Sequence, residues 1–267
     1  LSNVKRLEVK QPILTNEDMQ KIRKISEIGD NHFVSRVLDT TFDKNTGFNG
    51  FEKCLENLCI KAENVVKEGG NIIVLSDRQF GKNRIALPAL LSVASVHHHL
   101  IRKGLRTAVG LVVESAEPRE VHHFAVLAGY GTEAINPYMA FDTILDLQQR
   151  DLLTKDVTET EAVSRYIKSI NKGLLKVMSK MGISTYQSYC GAQIFDAVGL
   201  SEEFVNKYFK GTSTQISGVG INEIAKETII RHEEAYSNLE VLRDSLDVGG
   251  DYAVRKRGEV HAWNSDE

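Results

Sequence analysis

The chain has 267 residues, 42% of them apolar and 26% charged, with four prolines and a formal net charge of −3. That length and composition suit one large soluble α/β domain, or one domain with a smaller appendage. Acids and bases are interspersed, so nothing points to nucleic acid or a membrane surface, and the apolar runs fall far short of the roughly 20 residues of a membrane span.

Cys54, Cys59 and Cys190 make an odd count in a long chain, which argues against a secreted disulfide scaffold and for a reducing, cytoplasmic compartment. No signal peptide is visible. The chain starts at Leu1 without an initiating methionine and stops abruptly at Glu267, so both ends read as cut.

In chain order, Thr15 is a candidate N-cap with Asp18 three residues on, a weak capping box, opening a helix to about Ile28. Residues 33–40 read as a strand and 43–49 as a loop. A helix follows over 51–68, with Leu55, Leu58, Ala62, Val65 and Val66 at helical spacing and Gly69 and Gly70 ending it. Its Cys54 and Cys59 read as buried structural thiols. Then come a strand at 72–75 and a helix over 87–103 that is apolar nearly all round, hence buried. A strand at 107–113 precedes a helix opened by Pro118. A short strand at 133–136 leads into a helix over 138–150. The polar stretch 154–161 is ambiguous and expected to be the most mobile. Residues 162–181 read as helix, 183–185 as a very short strand, 192–198 as a helix closed by Gly199, 201–209 as a short helix capped by Ser201, and 221–236 as a last amphipathic helix. Residues 247–267 turn Gly- and charge-rich, like the opening of another domain.

Strands that end in polar residues and feed helices are the unit of a parallel sheet, and chemistry collects at the carboxyl ends of such strands. Ser76, Asp77 and Arg78 end one strand and Glu114 the next. They read as a polar rim, best explained by a buried ion pair of Arg78 with Glu114 or Glu117 that locks the strand order. The histidines 97–99, 122 and 123 suggest a metal, with Glu114 as a third ligand, but adjacent residues on a helix point about 100° apart, so at most one or two of the five could converge and separate hydrogen-bond partners are the preferred reading. Gly129 and Gly131 precede a strand, and Gly218 and Gly220 follow none, so neither pair forms a dinucleotide fingerprint. The residues alone yield an α/β domain without a complete catalytic set.

Several ordered strings resemble glutamate synthase: LPALLSVASVHHHL at 87–100, GLRT at 104–107, VVES at 112–115, REVHHF at 119–124, AINPY at 134–138, KGLLKVMSKMGIST at 172–185 and GAQIF at 191–195. The resemblance runs from about Pro12 to the end and is to the large chain's central domain. It implies an open, mostly parallel α/β sheet flanked by helices and related to a (β/α) barrel, with 1–246 as the central domain, its N-terminal part missing from this chain, and 247–267 as the start of the FMN-binding synthase domain. It also implies a parent enzyme that hydrolyses glutamine in an amidotransferase domain, passes ammonia through a tunnel, and reduces the adduct with 2-oxoglutarate at FMN, with electrons arriving through an iron–sulfur cluster. Its cofactors would be FMN and that cluster. Its partners would be the neighbouring domains and a small electron-donating subunit or ferredoxin, and its location the cytoplasm, or a plastid in a photosynthetic eukaryote.

The family's glutaminase uses an N-terminal Cys where this chain has Leu1, and its cluster needs three close cysteines where these are scattered. No catalytic, FMN-binding or metal-binding residue is therefore assigned here. The expected role is a non-catalytic connecting scaffold that helps wall the ammonia tunnel. Asn136 is the main candidate for that wall, with Thr15, Glu114, Ser179 and Ser184 behind it and Asp77 and Arg78 as a structural rim. The alternatives are an interaction module docking other subunits and a histidine-based metalloenzyme.

Overall fold

The computed structural model describes residues 7–28, 32–153 and 157–237. The chain divides into a compact unit through Ile229 and a second that begins at Ile230. The expected start of a further domain at 247–267, and part of the polar stretch 154–161, lie outside the described residues.

The frame is a four-stranded parallel sheet, in the order β1 (Ser35–Asp39), β3 (Ile72–Ser76), β5 (Gly110–Glu114), β6 (Ala134–Asn136). It is open, and Ile13 extends it by one bridge to Ile135. Strand alternation divides its side chains between two cores. Ile72, Val74, Val112 and Ala134 face one side, where Leu14, Met19 and Ile22 cover them. The last two belong to α1 (Asn16–Arg23). Ile73, Leu75, Leu111, Val113 and Ile135 face the larger core. Cover on both faces is why these strands read as unbroken apolar runs.

Helices α3 (Gly47–Lys67) and α4 (Ala89–Arg102) carry much of the larger core. In α3, Phe51, Leu55, Leu58, Ala62 and Val65 form a single buried stripe. In α4 even Ser92, Ser95, His97 and His98 are buried, as expected of a helix apolar all round. Helices α5 (Val121–Gly129), α6 (Tyr138–Gln149) and α7 (Glu159–Lys180) complete the layer, with Thr158 capping α7. Among the described residues no helix is long and apolar enough to cross a membrane.

The structure departs from the sequence reading in several places. The first helix breaks at Lys24 into α1 and α2 (Ile25–Ile28). The 43–49 loop holds a 3-10 turn (Lys44–Thr46) and the start of α3. Two short strands that the sequence does not announce, β2 (Thr41–Asp43) and β4 (Arg84–Ala86), pair antiparallel. A 3-10 turn (Arg106–Ala108) replaces the start of the strand at 107–113. Pro118 lies three residues ahead of α5 rather than at its first position. Residues 183–185 form no strand; Thr185 instead caps α8 (Tyr186–Tyr189).

The largest departure is at 192–198, which the sequence reads as a helix. Gly191 and Gln193 adopt positive φ of 75° and 51°, which interrupts any helix, and β7 (Asp196–Leu200) follows. After α9 (Glu202–Tyr208), capped by Ser201 as expected, β8 (Ser213–Val219) pairs parallel with β7. The last helix, α10 (Ile221–Ala235), matches its reading. Gly218 lies so close to β7 that a Cβ there would sit 2.1 Å from the Gly199 carbonyl oxygen. Gly218→Ala is therefore expected to destabilise the protein by about 2 kcal/mol through overpacking. Urea unfolding checks this, and a loss below about 0.5 kcal/mol would show that the strands part without cost.

Candidate functional site

Three register partners end the neighbouring strands β3, β5 and β6. Ser76 lies opposite Glu114, and Glu114 opposite Asn136, all three buried and on the face that α1 covers. Glu114, 1% exposed, is the hub. One carboxylate oxygen accepts from Arg78 Nε at 2.8 Å and the other from Ser76 Oγ at 2.6 Å. Arg23, from the last turn of α1, pairs with the second oxygen as well. The ion pair expected of Arg78 thus forms with Glu114. Glu117 turns elsewhere and accepts from the Ala89 N–H at 2.7 Å, at the start of α4.

Asp77 makes a second node. It accepts from Ser115 Oγ at 2.6 Å, from the Ala116 N–H at 3.0 Å and from the Tyr138 hydroxyl at 2.5 Å. Burial pushes its pKa up, against the pull of these three donors. Burial, reinforced by Asp77, likewise raises that of Tyr138. The Arg78 guanidinium lies 4.1 Å from the centre of the Tyr138 ring and joins the two nodes.

Asn136 is fully buried, and its Nδ2 donates to the Leu14 carbonyl and to Asn16 Oδ1, each at 3.0 Å. Thr15 caps α1 in the full capping box, with its Oγ1 accepting from the Asp18 N–H at 3.1 Å. Thr15 and Asn16 also line a groove of about 740 Å³, shared with Gln11, Phe141, Ile167 and Asn171. Asn136 therefore stands behind that groove and holds Asn16 in its wall. Ser179 and Ser184 are exposed and belong to the other end of the sheet. There Tyr186, two residues after Ser184, donates its hydroxyl to the Thr132 carbonyl ahead of β6.

Sequence reasoning misses Arg23, Ser115, Asn16 and Tyr138. Arg23 follows the buried Ile22 on α1, and no local pattern signals a partner 91 residues away. Tyr138 is visible in the sequence only as the first residue after Asn136-Pro137.

The histidines of α4 disperse among separate partners. His97 Nδ1 accepts from Arg106 Nε at 2.9 Å, which requires the neutral imidazole, since a guanidinium only donates. His98 meets Gln193 at 3.1 Å and His99 meets Glu63 at 2.8 Å. Among the described residues, no group of three or more His, Cys, Asp or Glu is placed to hold a metal ion. The cysteines are likewise apart: Cys54 Sγ donates to the Thr41 carbonyl and Cys190 Sγ to that of Thr132. Burial pushes Cys54 and Cys59 up to about 11 and Cys190 up to about 12, which keeps them as thiols. All three are only half-buried, so Cys54 and Cys59 are less enclosed than expected, and the three stand apart from one another.

This site is built to hold. Glu114→Gln removes the buried charge that both guanidiniums answer and should cost about 3 kcal/mol. Arg78→Met should then cost about 1 kcal/mol less in that background than in the parent, because the pair acts as a unit. Urea titration of the four proteins of this cycle checks it, and strictly additive costs would remove the coupling.

A pH dependence follows from α4. Burial first, then Arg106, pushes His97 down to about 3, and burial pushes His98 down to about 4, from an ordinary 6.5. The unfolded chain takes up protons below 6.5 that the folded chain refuses. This contribution is therefore fully present above 6.5 and is lost progressively as pH falls toward 4 and 3. Chemical denaturation between pH 7 and 4 should show that loss, and His97→Asn should reduce its slope by about one proton.

The family profile described as the glutamate synthase central domain matches residues 1–201. The chain is 43% identical to the glutamate synthase (NADPH) large chain of Bacillus subtilis, covering 98% of this chain and 16% of that protein. It is 40% identical to the glutamate synthase (NADH) of Schizosaccharomyces pombe, over 97% of this chain and 12% of the relative. It is also 40% identical to the ferredoxin-dependent glutamate synthase of Pyropia yezoensis, over 85% and 15%. It thus spans only 12–16% of the length of these relatives. A mutant flavocytochrome b2 with benzoylformate aligns at a TM-score of 0.42 and 10% identity, over 75% of this chain and 46% of that one. The length of the profile match and the identity along nearly the whole chain place this protein in the glutamate synthase central domain family.

Proposed function

We propose that the chain is the connecting domain of a glutamate synthase large chain, an oxidoreductase that makes two glutamates from glutamine, 2-oxoglutarate and a reductant. In this reading it holds an amidotransferase domain and an FMN-binding synthase domain apart and helps wall the passage of ammonia between them. The observation that carries the reading is the 43% identity along 98% of the chain to a protein named as a glutamate synthase large chain. The site chemistry agrees with it. Glu114, Asp77 and Asn136 are engaged in ion pairs and hydrogen bonds that position α1 and the strand ends.

FMN and the iron–sulfur cluster belong to other parts of such an enzyme, and no residue of this chain is assigned to either. The domain boundary proposed from the sequence, near residue 246, goes with this reading. Electrons would come from a pyridine nucleotide or ferredoxin, the donors named for relatives. The location would be the cytoplasm, or a plastid like that named for an Arabidopsis thaliana relative.

Within this reading, the groove lined by Thr15 and Asn16 is the stretch of wall best placed to border the passage, with Asn136 as the residue that positions it. Glu114 contributes by anchoring α1 through Arg23. In the full-length large chain, Asn136→Leu is expected to lower the glutamate formed per glutamine hydrolysed at least twofold. Glutaminase turnover and overall fold should persist. Parallel assay of the two half-reactions, with circular dichroism, checks this, and unchanged coupling would show that Asn136 does not position the wall.

A further inference from the structure

A pocket of about 320 Å³ opens between α3, α4 and α9, and it shares no lining residue with the groove at Thr15 and Asn16. Its size lies at the lower end of the range of small-molecule sites, roughly 300–1,000 Å³. Leu55 and Ile60 of α3 and Tyr208 of α9 give it apolar walls. Cys59 belongs with them, because burial pushes its thiol up to about 11 and keeps it uncharged.

The polar groups stand at two ends. At the buried end is Ser95 of α4, 4% exposed, whose Oγ has no hydrogen-bond partner among the described residues. A buried hydroxyl left unpaired is unfavourable, and a ligand group that meets it removes the penalty. At the open end is Arg102, seven residues further along the same helix, or about 10 Å at 1.5 Å per residue. Its guanidinium makes no ion pair or hydrogen bond among the described residues, and its charge draws the Cys59 thiol down against the burial that raises it. A free guanidinium is the side chain best suited to grip a carboxylate through two parallel N–H bonds.

The other charged groups of the lining limit the ligand further. His99 is already held by Glu63 at 2.8 Å. The Lys207 ammonium lies 5.1 Å from the centre of the Tyr208 ring and 3.8 Å from a Glu52 carboxylate oxygen, so its charge is shared with an acid outside the pocket. Glu56, also in the lining, repels a second negative charge. The balance favours one anionic group, placed at Arg102.

We propose that this pocket binds a small monocarboxylate with an apolar middle and a hydroxyl at its far end. The carboxylate pairs with Arg102, the middle packs on Leu55, Ile60 and Tyr208, and the hydroxyl meets Ser95 Oγ. The site goes beyond the connecting role and does not depend on it.

Ligand-observed NMR titration of the 267-residue chain with 3-(4-hydroxyphenyl)propionate tests the proposal. The expected dissociation constant is below about 1 mM, ordinary for a ligand of this size. Arg102→Met should weaken binding about 10-fold by removing the charge-assisted pair. Arg102 is exposed, so the fold should persist, which circular dichroism verifies. Ser95→Ala should weaken binding about threefold, while 3-phenylpropionate, which lacks the hydroxyl, should bind the parent and Ser95→Ala alike. A saturating probe should also slow iodoacetamide modification of Cys59 and leave that of Cys54, which lines a different pocket, unchanged. Peptide mass spectrometry reads both. No binding up to about 10 mM would overturn the proposal. So would binding that Arg102→Met leaves intact, or binding that leaves Cys59 as reactive as before, because the probe would then sit elsewhere. Equal affinity of the parent for the two probes would overturn the part given to Ser95.

Discussion

The structure depends on one buried carboxylate. Glu114 ends the central strand β5 with its side chain out of solvent, between the guanidiniums of Arg23 and Arg78 and the hydroxyl of Ser76. Left bare there, the charge would cost several kcal/mol, so the fold must keep its partners in place. Each partner comes from a different part of the chain: Arg23 from α1, Ser76 from the end of β3, and Arg78 from the loop beyond it. Meeting the demands of one carboxylate thus sets the position of the helix that covers the second face of the sheet.

Asn136 extends the same logic by one strand. Its side chain holds the Leu14 carbonyl and Asn16, which fixes the entry into α1, and the capping box of Thr15 and Asp18 starts the helix there. The entry, the helix and the strand ends form one hydrogen-bonded assembly, and the groove lined by Thr15 and Asn16 takes its shape from it. The polar strand ends that look like an active site in sequence are in this way turned inward, as positioning elements.

Much of this is legible without coordinates. The stripe Phe51, Leu55, Leu58, Ala62 and Val65 announces α3, because apolar periodicity is decided by which helix face is buried. The runs ending in Ser76, Glu114 and Asn136 announce parallel strands covered on both faces. The pairing of Arg78 with Glu114 is open to reasoning because successive parallel strands end on the same rim. β7 and β8 are not legible. Val198 and Ile216 are largely exposed, so their pattern carries no burial signal, and Gly199 and Gly218 dilute what strand propensity remains.

By itself, the sequence determined the α/β alternation, the helix faces that pack and the family to which the chain belongs, since each rests on local periodicity or on long ordered strings of residues. Only the tertiary structure decided that Arg23 shares Glu114, that Asn136 stands behind the groove rather than in it, and that the three consecutive histidines of α4 go separate ways. These are contacts between residues far apart in the chain or on different faces of a helix. Their formation depends on how whole elements dock, and no local spacing encodes that.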